Sequence, residues 1–296
     1  MVRAAIDPEC QISLSQAVEL FFEAKRSERL SEHTLADYAV TLRRWQAYAG
    51  PQTPLSQISP SQARSFIGSL PVSKKTAKNA HVALSSLWSW AVSDGYAVDH
   101  IMRRVTPPKP EVRVIVPYRR EELEWMMDSP GAPPLRNRAL ILFLLDTGVR
   151  ASEVGTVRIG DLRGLSVVVY GKGDKEREIP LSPRTLRAML AYLATRRRQT
   201  VKEPLFSTRD GKPMDRHAIR SWLERMGERI GVAGLCCHRF RHTFAINYLR
   251  NGGDAISLQR MLGHTTLDMV RRYTEMTQDD LAAIHRRASP VENWGL

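Results

Sequence analysis

Apolar residues return every three or four positions through most of the first hundred residues, which predicts helices at roughly 13–26, 31–49, 60–69 and 74–94. Leu35, Tyr38, Leu42 and Trp45 fall on one face of the second, and His81, Leu84, Leu87, Trp88 and Ala91 on one face of the fourth. Aromatics on such stripes are read as core rather than as base-stacking groups. Ser31-Glu32-His33-Thr34 supplies a start signal for the second helix. The period breaks at 106–117, TPPKPEVRVIVP, where prolines remove backbone donors and disfavour helix in the residues before them. We place an interdomain linker at 107–117, between a helical domain at 1–106 and a second domain at 118–296.

Helical spacing resumes at 119–128 and 134–146, and the second of these closes at Thr147-Gly148, where glycine can take a left-handed cap. The pattern then changes. LSVVVYGKGDKEREIPLS holds two β-rich runs around Gly171-Lys172-Gly173-Asp174, which reads as a hairpin with Lys172 on its turn. PLFSTRDGKPM, at 204–214, is expected to add a further strand and turn, and helices dominate from about 215 onward. The expected fold class is therefore mainly α with a small β-sheet, a helical domain preceding a mixed α/β one. No internal repeat of 20 to 50 residues is visible.

Charge narrows the function. The chain has 296 residues, with 44 Lys and Arg against 31 Asp and Glu, a net +13. A polyanion, nucleic acid first, is the natural partner, with mere solubility as the bland alternative. Residues 1–106 carry 12 basic and 9 acidic side chains, so the second part holds most of the excess. Lys74, Lys75 and Lys78 cluster at one helix start, where they can meet phosphate oxygens or simply face water.

The first residues lack an apolar signal core, and ALILFLL at 139–145 is too short to span a bilayer, so a cytoplasmic protein with no membrane association is expected. The three cysteines, Cys10, Cys236 and Cys237, have neither disulfide-framework nor zinc-site spacing, and no structural metal is expected. GKG at 171–173 precedes a strand rather than a helix and lacks the GxxxxGK[ST] pattern, which argues against an ATP site.

His238 and Arg241 are three residues apart and share a helix face, while His242 suits a structural role. Asn251-Gly252-Gly253 ends their helix, and Asp254 caps another that closes at Gly263-His264. A capping box at Thr265-Thr266-Leu267-Asp268 starts a new helix carrying Tyr273, which by itself reads as a core-boundary tyrosine.

Taken in order, Thr147-Gly148-Val149-Arg150-Ala151-Ser152-Glu153, Gly171-Lys172-Gly173, His238-x-x-Arg241, Leu262-Gly263-His264 and Tyr273 resemble the tyrosine recombinase (phage integrase) family. The resemblance covers nearly the whole chain, with an architecture closer to Xer-type or simple transposon recombinases than to integrases with an arm-site domain. It implies a core-binding domain followed by a catalytic domain of the DNA breaking-rejoining type. It further implies that Arg150, Lys172, His238, Arg241 and His264 surround a scissile phosphate, that Tyr273 attacks it, and that Glu153 supports the site. Phe240, where leucine is usual, and Cys236-Cys237 before the histidine depart from the family pattern and bear on local packing.

Chemistry agrees with those roles. Two arginines can neutralise the charge that concentrates on the nonbridging oxygens. A phenol ionises near pH 10, so an attacking tyrosine needs a proton acceptor, for which His238 is the candidate. Lys172 can protonate the departing 5′ oxygen, leaving a 3′-phosphotyrosine. One ester replaces another, so neither ATP, cofactor nor metal is required. The resemblance also implies four protomers on two duplex DNA sites, strand exchange through a Holliday junction, and a C-terminal tail that docks into a neighbouring protomer. A type IB topoisomerase-like relaxing activity and a catalytically silent DNA-binding protein are the two alternatives.

Overall fold

The structure, a computed structural model, describes residues 12–111, 115–127, 134–171, 175–197 and 199–263, with isolated positions beyond them that include Thr266, Val270 and Tyr273. The chain divides into two compact units, Met1–Arg113 and Val114–Leu296.

Among the described residues of the first unit, each of the four α-helices starts at a serine. Ser13, Ser31, Ser59 and Ser73 cap α1 (Leu14–Ser27), α2 (Glu32–Ala49), α3 (Pro60–Ser69) and α4 (Lys74–Ser93), each hydroxyl accepting the backbone N–H three residues on. Gln16 and Gln62 complete capping boxes. The expected faces are the buried ones: Leu42 and Trp45 of α2 meet Leu84, Leu87 and Trp88 of α4 in one core with Leu14 and Phe21 of α1. Trp45 and Trp88 cross edge to face at 6.3 Å. Buried His81 bonds the carbonyl of Val105 at 2.7 Å, fastening the end of the unit to α4. This histidine is structural.

The second unit runs α5 (Arg120–Met127), α6 (Pro134–Thr147), α7 (Ala151–Val154), β1 (Ser166–Tyr170), β2 (Glu176–Pro180), α8 (Pro183–Ala194), α9 (Arg216–Ile230), α10 (Cys237–Arg250) and α11 (Ala255–Leu262). Nearly every side of α6 is apolar, and it lies at the centre, packed against α8 and α10. The β1–β2 pair is antiparallel, with Val167 opposite Ile179 and Val169 opposite Arg177. Its turn, with Lys172, falls outside the described residues.

The expected strand at 204–214 is not formed. Pro204 and Pro213 make only isolated bridges, to Arg158 and Ser207, and Thr208 to Lys212 close a turn. The physical reason is the two prolines: each lacks the N–H that a continuing ladder needs. Among the described residues no helix is long and apolar enough to cross a membrane.

Candidate active site

The end of α6 sets the first part of the site. Gly148 takes φ +60°, and a Cβ there would lie 2.5 Å from Phe244 Cδ1 and 2.8 Å from a Leu262 methyl, so a side chain fits neither the backbone nor the space. The turn delivers Arg150 to the N-cap of α7. Its backbone N–H donates to Glu153 Oε2 at 2.7 Å, and its Nη1 to Glu153 Oε1 at 2.9 Å. The Glu153 side chain is 4% exposed and that of Arg150 39%, so the arginine keeps a face toward solvent while its partner is buried.

A second arginine, absent from the sequence-derived set, completes this pair. Arg177 on β2 donates Nη1 to Glu153 Oε1 at 3.0 Å and Nη2 to Oε2 at 2.8 Å, a bidentate contact, and Nε to the carbonyl of Met261 at 2.8 Å. Burial pushes the Glu153 carboxyl upward, but the hydrogen bonds from Arg177 and from the Arg150 N–H outweigh it and hold the group below its ordinary range. It is a carboxylate at neutral pH.

The N-terminus of α10 is fastened by Tyr118. The Cys236 N–H donates to the phenol oxygen at 2.9 Å, and the phenol donates to the Cys236 carbonyl at 3.2 Å. Burial raises that phenol well above its ordinary value. Arg239 stacks over the Tyr118 ring at 4.1 Å and pairs with buried Glu122 at 3.0 Å. Phe240 is fully buried against Tyr118, ring centroids 4.6 Å apart, so the larger residue is accommodated as a core aromatic.

This anchoring places His238, Arg241 and His242 on the first turns of α10. His238 is exposed, Arg241 is 3% exposed, and His242 is buried. Arg241 donates Nη1 to the Gly148 carbonyl at 2.8 Å and Nη2 to that of Leu262 at 2.7 Å. Burial first, then the charge of Arg150, lowers its pKa to about 10, which leaves it cationic at neutral pH. Tyr273, Glu153 and Arg177 also act on its charge, so these groups form one electrostatic cluster.

Asp254 caps α11 by accepting from the Ile256 and Ser257 N–H groups, and Gly263 ends it at φ +62°. The carbonyls of Met261 and Leu262 near that end are the ones Arg177 and Arg241 take, in keeping with the negative end of a helix. Tyr273 is buried in a small cluster with Phe244, Leu258, Leu262 and Val270, its ring edge-on to His242.

The structure thus brings together Arg150, Glu153, Arg241, His242 and Tyr273. Lys172 and His264 lie outside the described residues. Lys75 and Lys78 are exposed on the first turns of α4, and Lys74, also exposed, pairs with Glu111 at 3.0 Å. Burial pushes the Cys237 thiol up to about 12, leaving it protonated and a poor nucleophile.

Comparison with known proteins identifies the family. Residues 118–279 match the phage integrase family, and residues 18–95 match the N-terminal SAM-like domain of phage integrases. The chain belongs to the phage integrase family. It is a tyrosine-type site-specific recombinase, a DNA-acting enzyme. It is 29% identical over 287 residues to the tyrosine recombinase XerC of Pelobacter propionicus, covering 93% of this chain and 94% of the relative. It is 28% identical over 276 residues to XerD of Staphylococcus haemolyticus, with 88% and 94% covered. Among solved structures, the Tn1549 transposon integrase with circular intermediate DNA superposes with a TM-score of 0.77 at 18% identity, covering 94% of this chain and 100% of that one. A lambda integrase tetramer bound to a Holliday junction gives 0.75 at 17%, with 92% and 82% covered.

Proposed function

We propose that the protein cleaves and rejoins duplex DNA with Tyr273 as nucleophile and Arg150 and Arg241 as the clamp on the scissile phosphate. The Tyr273 oxygen bonds to phosphorus as the bond to the 5′ oxygen breaks. His238 accepts the phenol proton, Lys172 supplies one to the leaving oxygen, and His264 hydrogen-bonds the phosphate. Glu153 holds Arg150, and His242 packs on the nucleophile. The number of phosphate esters does not change, so the step needs neither ATP nor a metal.

The observation that carries this reading is Arg241. A charged guanidinium buried at 3% exposure, within electrostatic reach of Arg150 and Tyr273, suits a site built to stabilise developing negative charge. Residues 1–106 would serve as a helical core-binding domain with Lys74, Lys75 and Lys78 toward DNA, 107–117 as linker, and 118–296 as the catalytic domain. Four copies on two DNA sites would exchange strands, a reading supported by the tetrameric lambda integrase among proteins of this fold. The tail, most of it outside the described residues, would join neighbouring protomers, and the reaction would take place in the cytoplasm.

A duplex nicked close to the cleavage site tests the chemistry, because the freed fragment leaves and traps the covalent complex. Labelled DNA should be captured in excess EDTA as well as without it. No capture on any cleavable site would leave only DNA binding. Recombination between two sites, lost on deletion of residues 278–296 while single-site binding persists, tests the assembly.

A further inference from the structure

Arg177 is the one strongly engaged cation of the cluster that the proposed chemistry leaves without a task. Its side chain is 12% exposed, and the three oxygens it donates to belong to distant parts of the chain: both carboxylate oxygens of Glu153 on α7 and the carbonyl of Met261 on α11. Two glycines crowd it. A Cβ at Gly263 would lie 3.2 Å from Arg177 Nη1, and one at Gly171 would lie 3.4 Å from the same atom. Gly171 and Gly263 directly precede Lys172 and His264 in the chain.

The geometry around Glu153 shows what the guanidinium does. Each carboxylate oxygen is shared: Oε1 accepts from Arg150 Nη1 and Arg177 Nη1, and Oε2 accepts from the Arg150 N–H and Arg177 Nη2. A planar, two-pronged donor fixes both the position and the twist of a carboxylate plane, which a single contact cannot. Arg150, more exposed than its partner, is thus presented on a carboxylate that Arg177 immobilises from behind.

We propose that Arg177 is a positioning residue for DNA cleavage, its guanidinium holding the Glu153 carboxylate in the orientation that directs Arg150 to the scissile phosphate. This rests on the assignment of Arg150 to the clamp.

Single-turnover capture on the nicked duplex tests it, using Arg177→Ala and Arg177→Lys in the full-length protein with Arg150→Ala beside them. Arg177→Ala should slow capture about 10²-fold, the scale of a misplaced catalytic group, and Arg177→Lys, which keeps the charge, should recover part of that loss. The decisive substrate carries a methylphosphonate at the scissile position. Replacing a nonbridging oxygen by methyl removes the charge that Arg150 is there to neutralise, so the defects of Arg150→Ala and of both Arg177 variants should shrink together. If Arg150→Ala is relieved and neither Arg177 variant is, Arg177 does not act through Arg150 and the proposal falls. If Arg150→Ala is not relieved either, the clamp itself is wrongly assigned and the Arg177 role falls with it. Should Arg177→Ala fail to fold, Arg177→Lys and Glu153→Gln give the same comparison, since each weakens the contact without emptying the site.

Discussion

The imidazole of His242 meets the ring of Tyr273 edge-on, centroids 4.9 Å apart and planes at 60°. His242 is itself tied to the carbonyl of Ile115. The ring of Tyr273 is therefore held by packing against His242 and its apolar neighbours, contacts that a phenylalanine keeps. Tyr273→Phe should leave the melting temperature and DNA affinity close to wild type and abolish covalent capture. Labelled DNA trapped by the Phe variant would falsify the assignment of the nucleophile.

His242 also carries a pH dependence of stability. Burial, and then the charge of His238, holds its pKa below the ordinary 6.5, against the opposing pull of the Ile115 carbonyl. The folded chain takes up this proton less readily than the unfolded one. Stability from a neutral His242 is thus fully present above 6.5 and is lost as pH falls from there through the lower folded value. Melting temperatures at about pH 7.5 and about pH 5.5 should differ less in His242→Gln than in wild type. Equal differences would place the titrating group elsewhere.

Arg150 and Arg241 should separate by stability, not by activity. Each to alanine should cost roughly 3–4 kcal/mol of transition-state stabilisation, about 10²–10³ in capture rate. Arg241→Ala also strips donors from the carbonyls of Gly148 and Leu262, at roughly 1–3 kcal/mol for each left buried and unpaired. Denaturant titration should then show Arg241→Ala the less stable of the two. The opposite order would contradict the buried geometry.

Gly148→Ala touches no reacting group and should still impair capture. Its Cβ collides with Phe244 and Leu262 and its φ is positive, for a combined cost of about 2–6 kcal/mol. Relief of that collision shifts both Arg150, two residues on, and the carbonyl that Arg241 uses. A variant of wild-type melting temperature and rate would show that the turn can open without consequence.

Lys172 is tested by chemistry alone. Lys172→Ala should slow cleavage much more on an ordinary 5′ oxygen than on a 5′-bridging phosphorothiolate, whose sulfur leaves without a proton. Equal defects on both substrates would exclude proton donation.

Much of this was legible in the sequence because helices advertise themselves locally. The stripe through Leu35, Leu42 and Trp45, the serines at helix starts, and Gly148 after Thr147 all act within a few residues. Arg177 escaped because its partners lie 24 and 84 residues away. One signal was present. Arg177 is two residues from Ile179 on a strand and stands opposite Val169, both fully buried, so alternation places it on the core side. A cation there needs a buried carboxylate, and Glu153 is the one it has. At 204–214 the reverse error arose, because Leu205, Phe206 and Met214 look like strand residues while Pro204 and Pro213 forbid a ladder.

The burial of Glu153 between two arginines gives the site its own counter-ion before any DNA arrives. Mobile ions screen charges they can approach, and a carboxylate 4% exposed is shielded from them, whereas lysines such as Lys75 and Lys78 lie open to solvent. Added salt competes with exposed cations for a nucleic-acid backbone and weakens the encounter. The arginine–glutamate core keeps its internal geometry across the same range, so ionic strength governs how often the enzyme meets DNA far more than how these three side chains are arranged when it does.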